Sequence, residues 1–165
     1  MRRTAALGAG ALVLGGLTAA VAVRRARLEP VLVQGTSMAP TLGPGQRIAV
    51  APLVRPPPRG DLVVLRRPRG DLEVVKRVVG LPGERVALRG GRLEVGGRPV
   101  PEPYLGGGPA AGELEVTLGP AHYLVLGDHR AASTDGRDFG PVPADALIGR
   151  VRFAYWPPRR LGRRG

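Results

Sequence analysis

The sequence has no cysteine and only two histidines, and both shortages narrow the chemistry open to it. Without cysteine, disulfide bonds, thiolate metal sites and a cysteine nucleophile are excluded. His122 and His129 are too few for a histidine-rich metal site, and we expect neither a metal nor a cofactor. Aromatic residues make up only 4% of the chain, so no platform for stacking nucleobases is evident and nucleic acid is not a predicted partner.

Lysine and serine are also scarce. Of the 25 lysine and arginine residues only Lys76 is a lysine, and the only serines are Ser37 and Ser133. Arginine stays protonated in proteins, whereas a buried lysine can lose its proton and act as a base. A single lysine in an arginine-rich chain therefore suggests a role that arginine cannot fill. Our central hypothesis is that Ser37 is a nucleophile and Lys76 is its general base.

The formal net charge of +12 has two interpretations. The arginines are scattered among glycine, proline and valine and do not form one block, which is typical of a solvated basic surface. The same charge would attract anionic lipid headgroups, as expected of a domain tethered to a membrane. Both interpretations stay open at this point, and a lipid bilayer is one predicted partner.

Residues 4–23 form an uncharged run, rich in alanine and glycine, between Arg3 and Arg24. A helix of about 20 residues spans about 30 Å, the thickness of the hydrocarbon core of a bilayer. We therefore predict one transmembrane helix, with residues 1–27 as the anchor and its basic flanks. The alternative is a cleaved signal peptide, because residues 20–22 read Ala-Val-Ala. Arginines flank the run on both sides, so charge alone does not set its orientation.

Ser37 lies in a segment that cannot continue as a helix. Residues 28–33 before it have an extended, apolar pattern, and Pro40 and Gly43 follow shortly after it. Proline and glycine interrupt helices and are typical of turns. We therefore expect Ser37 on a turn or at the end of a strand.

Lys76 lies in a valine-rich run, residues 72–79, which a turn separates from another apolar run, residues 62–65. The two runs predict an antiparallel hairpin. Side chains alternate along a strand, so Lys76 would share one face with Val74 and Val78. Burial there would lower the pKa of the lysine, so that its amine could take a proton from a serine hydroxyl. The alternative is a lysine whose stem packs while its amine reaches solvent.

The rest of the chain reads as short strands, turns and loops. The paired glycines Gly90 and Gly91 between two apolar runs predict a second hairpin. In chain order, the predicted elements are a strand at 46–54, hairpin strands at 85–88 and 92–95, a mobile loop at 101–120, strands at 122–126 and 149–156 with a helical turn at 144–148 between them, and a basic tail at 157–165. Residues 127–143 concentrate polar groups after a buried strand, which is a usual place for a functional site.

Four segments match one family in order and at plausible spacing. They are residues 35–41 (Gly-Thr-Ser-Met-Ala-Pro-Thr), 60–64 (Gly-Asp-Leu-Val-Val), 76–84 (Lys-Arg-Val-Val-Gly-Leu-Pro-Gly-Glu) and 127–143, from Gly-Asp to Pro-Val-Pro. Together they resemble the type I signal peptidases, a family that includes the mitochondrial inner-membrane peptidase. A lone Ser-Met-x-Pro would be a weak signal, but four segments in order are a strong one.

The resemblance implies a Ser/Lys dyad and no catalytic histidine. It assigns Ser37 as the nucleophile and Lys76 as the general base, with Ser133 orienting the lysine amine. Asp135 and Arg137 correspond to a structural ion pair behind the site. The alternatives are a turn role for Ser133 and Asp135 and an unrelated carboxylate partner for Arg137.

The resemblance also bears on substrate binding near the nucleophile. It implies substrates with small residues, mostly alanine, at the first and third positions before the cut. We expect shallow pockets near Met38 and the valines of the hairpin to enforce this, with Met38, Gly35 and Thr36 as the substrate-binding residues. The backbone N–H of Ser37 would be one oxyanion donor. Some members have a serine where this chain has Gly35, so the second donor is left open, with Thr36 and water as candidates. Gly136 replaces a serine that is common in the family. His129 invites a triad reading, but we expect both histidines to be exposed.

These features predict a mostly β fold of coiled antiparallel sheets on one N-terminal transmembrane helix. The predicted peptidase domain is 28–156, with a short hairpin and loop insertion at 89–120. The predicted protein is a membrane-bound serine endopeptidase that removes signal peptides from exported preproteins. We expect it in the cell membrane, single-pass, with the catalytic domain on the extracytoplasmic side. Two alternatives are a Ser/Lys maturation protease for one precursor and a non-catalytic, membrane-anchored basic binding module. The oligomeric state is left unknown.

Overall fold

Two antiparallel β-sheets make up most of the computed structural model, which describes residues 28–68, 70–106 and 112–157. In order across the sheet, the seven-stranded sheet consists of β1 (Glu29–Leu32), β2 (Arg47–Pro52), β11 (Leu147–Trp156), β3 (Leu62–Arg66), β4 (Glu73–Gly80), β9 (His122–Leu126) and β10 (Val142–Pro143). The four-stranded sheet consists of β7 (Arg98–Pro99), β6 (Arg92–Val95), β5 (Arg85–Arg89) and β8 (Leu114–Thr117). The predicted mostly β class is confirmed.

Helical structure in the described ranges is limited to single turns. They are one α-helical turn, α1 (Gly136–Phe139), and two 3₁₀ turns at Arg130–Ala132 and Ala144–Ala146. The helical turn predicted at 144–148 is confirmed for its first three residues, and Leu147 already begins β11. α1 was not predicted, because four residues are too few to show a helical period.

The hairpin that carries Lys76 forms as predicted. β3 pairs with β4 in antiparallel register, and Lys76 lies opposite Val63. Valine suits such a strand because its branched side chain packs well on a pleated surface. Val78 packs with Val63 and Leu65 in one apolar cluster of the core, with Val74 against its edge. The residues around Lys76 on β4 and β3 are therefore buried by hydrophobic packing.

The second predicted hairpin is also confirmed. β5 and β6 pair with Arg89 opposite Arg92, and the two residues between them are Gly90 and Gly91. Their φ angles are +51° and +77°. Such angles are readily adopted by glycine and match the twist of the tight hairpin turn.

The segment predicted as a loop, residues 101–120, differs in one part. Its residues Leu114–Thr117 form β8, which pairs with β5. Leu114 and Val116 are half-buried against the cluster between the sheets, whereas the two residues that alternate with them are exposed. This alternation covers only four residues, which is too short to stand out beside the glycines and prolines around it.

A separate apolar cluster supports the turn that carries Ser37. Met38 and Leu42 are buried against Ile48 and Val50 of β2 and Val64 of β3. Burying side chains of this size contributes roughly 1.5–3 kcal/mol each. The residue after the candidate nucleophile is therefore anchored in the core, which holds the turn over the sheet.

The predicted anchor and most of the basic tail lie outside the described residues. Among the residues that are described, no helix is both long and apolar enough to cross a bilayer. The predicted boundaries of the anchor, the peptidase domain, the insertion and the tail stay predictions.

Candidate active site

Ser37 lies on a tight turn after β1, as predicted. Backbone hydrogen bonds close this turn, from the N–H of Ala39 to the carbonyl of Thr36 at 3.0 Å and from Leu42 to Met38 at 2.8 Å. Ser37 itself is half-buried, between the exposed Thr36 and the buried Met38. The turn thus presents the hydroxyl at the edge of the core, where a substrate can reach it.

Lys76 points at this hydroxyl from β4. Its Nζ lies 2.8 Å from the Oγ of Ser37, which is hydrogen-bonding distance. Only 2% of Lys76 is exposed to solvent. The alternative in which the amine extends into water is therefore wrong, and the structure joins the only lysine to one of the only two serines.

Ser133 completes the contacts of the amine. Its Oγ lies 3.1 Å from Nζ of Lys76, on the segment that follows the 3₁₀ turn Arg130–Ala132. The same segment is tied to the nucleophile, because the N–H of His129 donates to the carbonyl of Ser37 at 3.0 Å. Two serines far apart in the sequence thus hold one amine between them.

Gly127 allows this close approach, and it was not singled out from the sequence. A Cβ added at Gly127 would lie 2.1 Å from Oγ of Ser133 and 2.6 Å from the carbonyl oxygen of Ser37. Such distances are far below van der Waals contact, so no side chain fits there without displacing the site. Gly127 begins the matched segment 127–143, but the sequence alone does not show that a side chain at this position would collide with the site.

Asp135 and Arg137 form the predicted ion pair behind Ser133. Nε of Arg137 donates to Oδ1 of Asp135 at 2.9 Å, and the Asp135 side chain is fully buried. The N–H of Gly127 donates to Oδ2 of Asp135 at 2.8 Å. Asp135 also caps α1 in a capping box with Asp138. One carboxylate therefore joins the strand end before the site to the helical turn after it.

Arg137 also supports Ser133 through the backbone. Its guanidinium donates to the carbonyl of Ser133 at 3.2 Å and to the carbonyl of Arg130 at 2.7 Å. The planar guanidinium can make several hydrogen bonds at once, which lysine cannot reproduce in this geometry. The ion pair thus restrains both ends of the segment that positions Ser133.

Burial lowers the pKa of Lys76 below its ordinary value of 10.5, because the charged amine loses its hydration. The nearby carboxylate of Asp135 opposes this shift, and Arg137 reinforces it. For Asp135, burial alone would raise the pKa, but hydrogen bonds from Arg137 and Gly127 outweigh it and hold the pKa below the ordinary value. The site therefore combines an ionised, paired carboxylate with an amine whose neutral form is favoured.

A second buried ion pair, Arg77 with Asp128, was missed in the sequence. Nε and Nη2 of Arg77 donate to the two carboxylate oxygens of Asp128 at 2.8 and 2.6 Å. The hydroxyl of Thr41 also donates to Asp128. Because Arg77 directly follows Lys76, this pair ties the strand of the base to the segment after β9, and Thr41 joins both to the end of the nucleophile's turn.

A groove of about 430 Å³ runs beside Ser37. Of the three residues predicted to bind substrate, Gly35 and Met38 line it, whereas Thr36 is exposed and does not. Val64 and Val74 form part of its apolar wall. The groove therefore lies next to the hydroxyl and has a largely apolar wall, with Gln34 and Glu73 also in its lining.

Both histidines are exposed, as predicted. His129 contributes its backbone N–H to the site, through the bond to the Ser37 carbonyl. Within the described part of the chain, the side-chain contacts of the Ser37 hydroxyl and the Lys76 amine therefore involve serine and lysine rather than a histidine base.

Comparisons with known proteins identify the family. The model of the family "Signal peptidase, peptidase S26" matches residues 6–156. The chain is 34% identical to signal peptidase I of Leptolyngbya laminosa over 157 residues, covering 88% of this chain and 77% of that protein. It is 36% identical to signal peptidase I T of Bacillus subtilis (strain 168) over 152 residues, covering 84% of this chain and 79% of that protein.

A solved structure agrees with this result. A signal peptidase I from Enterococcus faecalis V583 has a similar fold, with a TM-score of 0.56 and 29% sequence identity. The match covers 61% of this chain and 100% of that one. The chain belongs to the signal peptidase family, peptidase S26. It is accordingly a serine endopeptidase of the class that removes signal peptides, and the predicted family and enzyme class are confirmed.

Proposed function

We propose that this protein removes signal peptides from exported preproteins with Ser37 as the nucleophile and Lys76 as the general base. The observation that carries the proposal is the 2.8 Å contact between Nζ of a lysine that is almost fully buried and the Ser37 hydroxyl. A reactive serine needs a base within hydrogen-bonding reach, and a base needs a pKa close to the working pH. Burial moves the pKa of Lys76 in the direction that this second condition requires, because the charged amine loses its hydration.

The reaction proceeds in two stages. The neutral amine of Lys76 takes the hydroxyl proton while Oγ of Ser37 attacks the carbonyl carbon of the scissile bond. The backbone N–H of Ser37 stabilises the oxyanion of the tetrahedral intermediate. Lys76 then returns the proton to the leaving nitrogen, and the signal peptide stays attached to Oγ as an ester. In the second stage, after the mature protein has left with its new amino terminus, Lys76 takes a proton from the water molecule that attacks the ester. Lys76 then gives this proton to Oγ of Ser37, which releases the signal peptide and restores the serine hydroxyl.

Ser133, Asp135 and Arg137 act by positioning. The Ser133 hydroxyl, 3.1 Å from Nζ, holds the amine toward Ser37. The Asp135–Arg137 pair holds the Ser133 backbone through the bond from Arg137 to its carbonyl. Breaking a buried ion pair by removing one partner leaves an uncompensated charge and costs about 3–5 kcal/mol. The pair therefore serves the stability of the site, and the chemistry belongs to Ser37 and Lys76.

The groove beside Ser37 holds the residues before the cut. Its wall at Gly35, Met38 and the valines is apolar, which suits alanine at the first and third positions before the scissile bond. Thr36 lies outside this wall, on the exposed side of the turn, so its part in binding rests on its backbone or on contacts made only when substrate is present.

The enzyme works at the cell membrane, held by one helix at residues 4–23, with its catalytic domain on the extracytoplasmic side. The length and lack of charge of this run support the assignment. Anchoring raises the effective concentration of substrates that are held in the same bilayer. The net charge of +12 adds attraction to anionic headgroups.

Exchanging Lys76 for arginine tests the proposal most simply. Lys76→Arg places a guanidinium there that stays protonated and cannot act as a base, so cleavage of a preprotein by the full-length protein should fall by about 10³-fold. Ser37→Ala should be at least as inactive. Circular dichroism should show both variants folded.

The matched control exchanges the same residue types in the other direction, on the second sheet. Arg98→Lys lies at an exposed position of β7 and should cleave the preprotein as the wild type does. Substantial cleavage by a folded Lys76→Arg or Ser37→Ala protein would mean that the chemistry lies elsewhere.

A further inference from the structure

A short strap, residues 102–106, lies between β7 and β8 in the chain and belongs to neither sheet. It is closed by a turn in which the N–H of Leu105 donates to the carbonyl of Glu102 at 3.2 Å. The proposed function gives the strap no part. Two of its side chains, those of Glu102 and Tyr104, nevertheless contact the residues that hold the active site together.

The ring of Tyr104 covers the guanidinium of Arg77. The guanidinium carbon lies 3.9 Å from the centre of the ring, which is a cation–π contact. The Arg77 side chain is only 11% exposed, and the side chain of its partner Asp128 is fully buried. A cation–π contact is stronger where water is excluded. The ring therefore both attracts the guanidinium and shields one of its faces from water.

The hydrogen bonds of Arg77 lie at the edge of the same guanidinium and join several parts of the site. Nε and Nη2 donate to Asp128, and Nη1 donates to the carbonyl of Gly60 at 2.7 Å. Nη2 also lies 3.3 Å from the hydroxyl of Thr41, at the end of the nucleophile's turn. Because Lys76 is the residue before Arg77, a guanidinium that stays in place keeps the base and that turn at a fixed separation.

Glu102 holds the strap, and with it the ring, in this position. Its carboxylate pairs with the guanidinium of Arg130 and accepts a hydrogen bond from the Tyr104 hydroxyl at 2.6 Å. The side chains of Arg130 and Glu102 are only 3% and 7% exposed. Nη1 of Arg130 is buried and has no hydrogen-bond partner among the described residues, so this cation depends on Glu102 for its countercharge.

Arg130 connects the strap to the segment that carries Ser133. Its Nε donates to the carbonyl of Gly127 at 3.0 Å, and its own carbonyl accepts a hydrogen bond from Arg137 at 2.7 Å. The strap thus contacts the site on two sides. Through Tyr104 it reaches the strand of the base, and through Glu102 it reaches the segment after β9.

We propose that Tyr104 is a positioning residue for the Ser37–Lys76 pair. Its ring, held in place by Glu102, keeps the guanidinium of Arg77 where it joins β4 to the segment after β9 and to the nucleophile's turn. The inference rests on the proposed function and adds a residue of the strap to it. Tyr104 does not line the groove beside Ser37, so it acts on the rate of the chemical step rather than on substrate binding.

The test compares Tyr104→Leu with Tyr104→Phe in the full-length protein. For each variant kcat and KM for a preprotein are measured separately, and circular dichroism gives the folded fraction. Leucine removes the ring from Arg77, so kcat per folded enzyme should fall about tenfold while KM stays within about twofold of the wild-type value. Phenylalanine keeps the ring and loses only the hydroxyl, so its kcat should stay within about twofold of wild type.

A second pair of variants tests how the strap is held. Glu102→Gln removes the countercharge of Arg130 and should lower kcat by a similar factor, again with little change in KM. Glu115→Gln is the matched control, because Glu115 pairs with Arg85 and Arg89 on the exposed surface of the second sheet and should keep wild-type kcat and KM. If Tyr104→Leu does not fold, Tyr104→Met replaces it with the same expected result.

Several results would overturn the inference while leaving the function standing. They are wild-type kcat in folded Tyr104→Leu, a Tyr104→Phe protein as slow as Tyr104→Leu, a change confined to KM, and a Glu102→Gln protein no slower than Glu115→Gln. Cleavage undiminished in Ser37→Ala would instead count against the proposed function.

Discussion

Lys76 is a buried lysine in a strand of valines. This burial lowers the stability of the fold, and in the proposed mechanism it also prepares the amine for catalysis. Its lowered pKa means that the folded protein holds the lysine proton less tightly than the unfolded chain does. Lys76 therefore reduces stability at pH values below its ordinary pKa, and the penalty fades as the pH rises toward 10.5. In the proposed mechanism, the same burial favours the neutral amine that activates Ser37.

Replacing Gly127 by alanine adds a single methyl group and no polar group, and this alone should disturb the site. In Gly127→Ala the new Cβ would lie 2.1 Å from Oγ of Ser133, so Ser133 and the amine it holds must move. A displacement of about 1 Å at a catalytic group can cost about 100-fold in rate. We expect a loss of kcat of this size for preprotein cleavage by the full-length variant.

Gly43→Ala is the control for this experiment. Gly43 lies beyond the same turn, and an added Cβ there meets no atom within 4 Å. This variant should keep wild-type kcat. Equal activity of the two alanine variants would show that the close approach at Gly127 has no catalytic importance.

The residues of the candidate dyad could be predicted from scarcity and from the family's segments, and those segments also predicted the contacts of Ser133 and the Asp135–Arg137 pair. The Arg77–Asp128 pair could not be predicted in this way. Ser37 and Lys76 stand out because the chain has so little serine and lysine. Nothing in the sequence pairs Arg77 with Asp128. The two residues are 51 positions apart, and arginine is so abundant in this chain that one more arginine does not stand out. Pairing over that distance is decided by how the strands pack, which one sequence does not record.

The solvent exposure of strand β11 increases along its length. Its first half is largely buried between β2 and β3, whereas its last residues are exposed and include Phe153 and Trp156, 53% and 56% accessible. Tryptophan and tyrosine are enriched where a membrane meets water. Exposed aromatic residues at the end of this strand are consistent with contact with a lipid surface.

Trp156 reports on this contact by itself, because it is the only tryptophan in the chain. For the full-length protein reconstituted into liposomes, we expect blue-shifted tryptophan emission that lipids brominated on their acyl chains quench. The physical reason is that an indole ring at the interface leaves bulk water for a less polar environment. The measurement is steady-state fluorescence of the reconstituted protein.

Trp156→Phe supplies the background for that measurement and should show no tryptophan signal. Emission typical of a fully hydrated indole, without quenching by any brominated lipid, would place the end of β11 away from the bilayer.

The sequence predicted the mostly β fold class and the two hairpins, but it did not predict the order of the strands across the large sheet. Alternating apolar residues and paired glycines indicated β3, β4, β5 and β6 because these signals are local. β11, near the end of the chain, lies between β2 and β3. Such an insertion depends on long-range pairing, which local patterns do not encode. β8 was missed for a different reason. Its alternating pattern is local, but it covers only four residues.

The same whole-molecule view explains how the site is assembled. Ser37 comes from the turn before β2, Lys76 from the middle of the chain and Ser133 from the segment after β9. The antiparallel pairing of β4 with β9 brings the last two together, and Met38 in the core beneath the turn holds the first. Any variant that loosens this packing should affect activity before it abolishes folding.

The central claim is that the Lys76 amine is the base and works in its neutral form. Because the chain has only one lysine, full-length protein labelled with ¹³C at the lysine Cε gives a single lysine side-chain signal in an NMR titration. We predict a midpoint below 10.5, and kcat/KM for preprotein cleavage that rises with pH through the same midpoint. A lysine that titrates at 10.5 or above, while cleavage rises at lower pH or does not change with pH, would contradict the account.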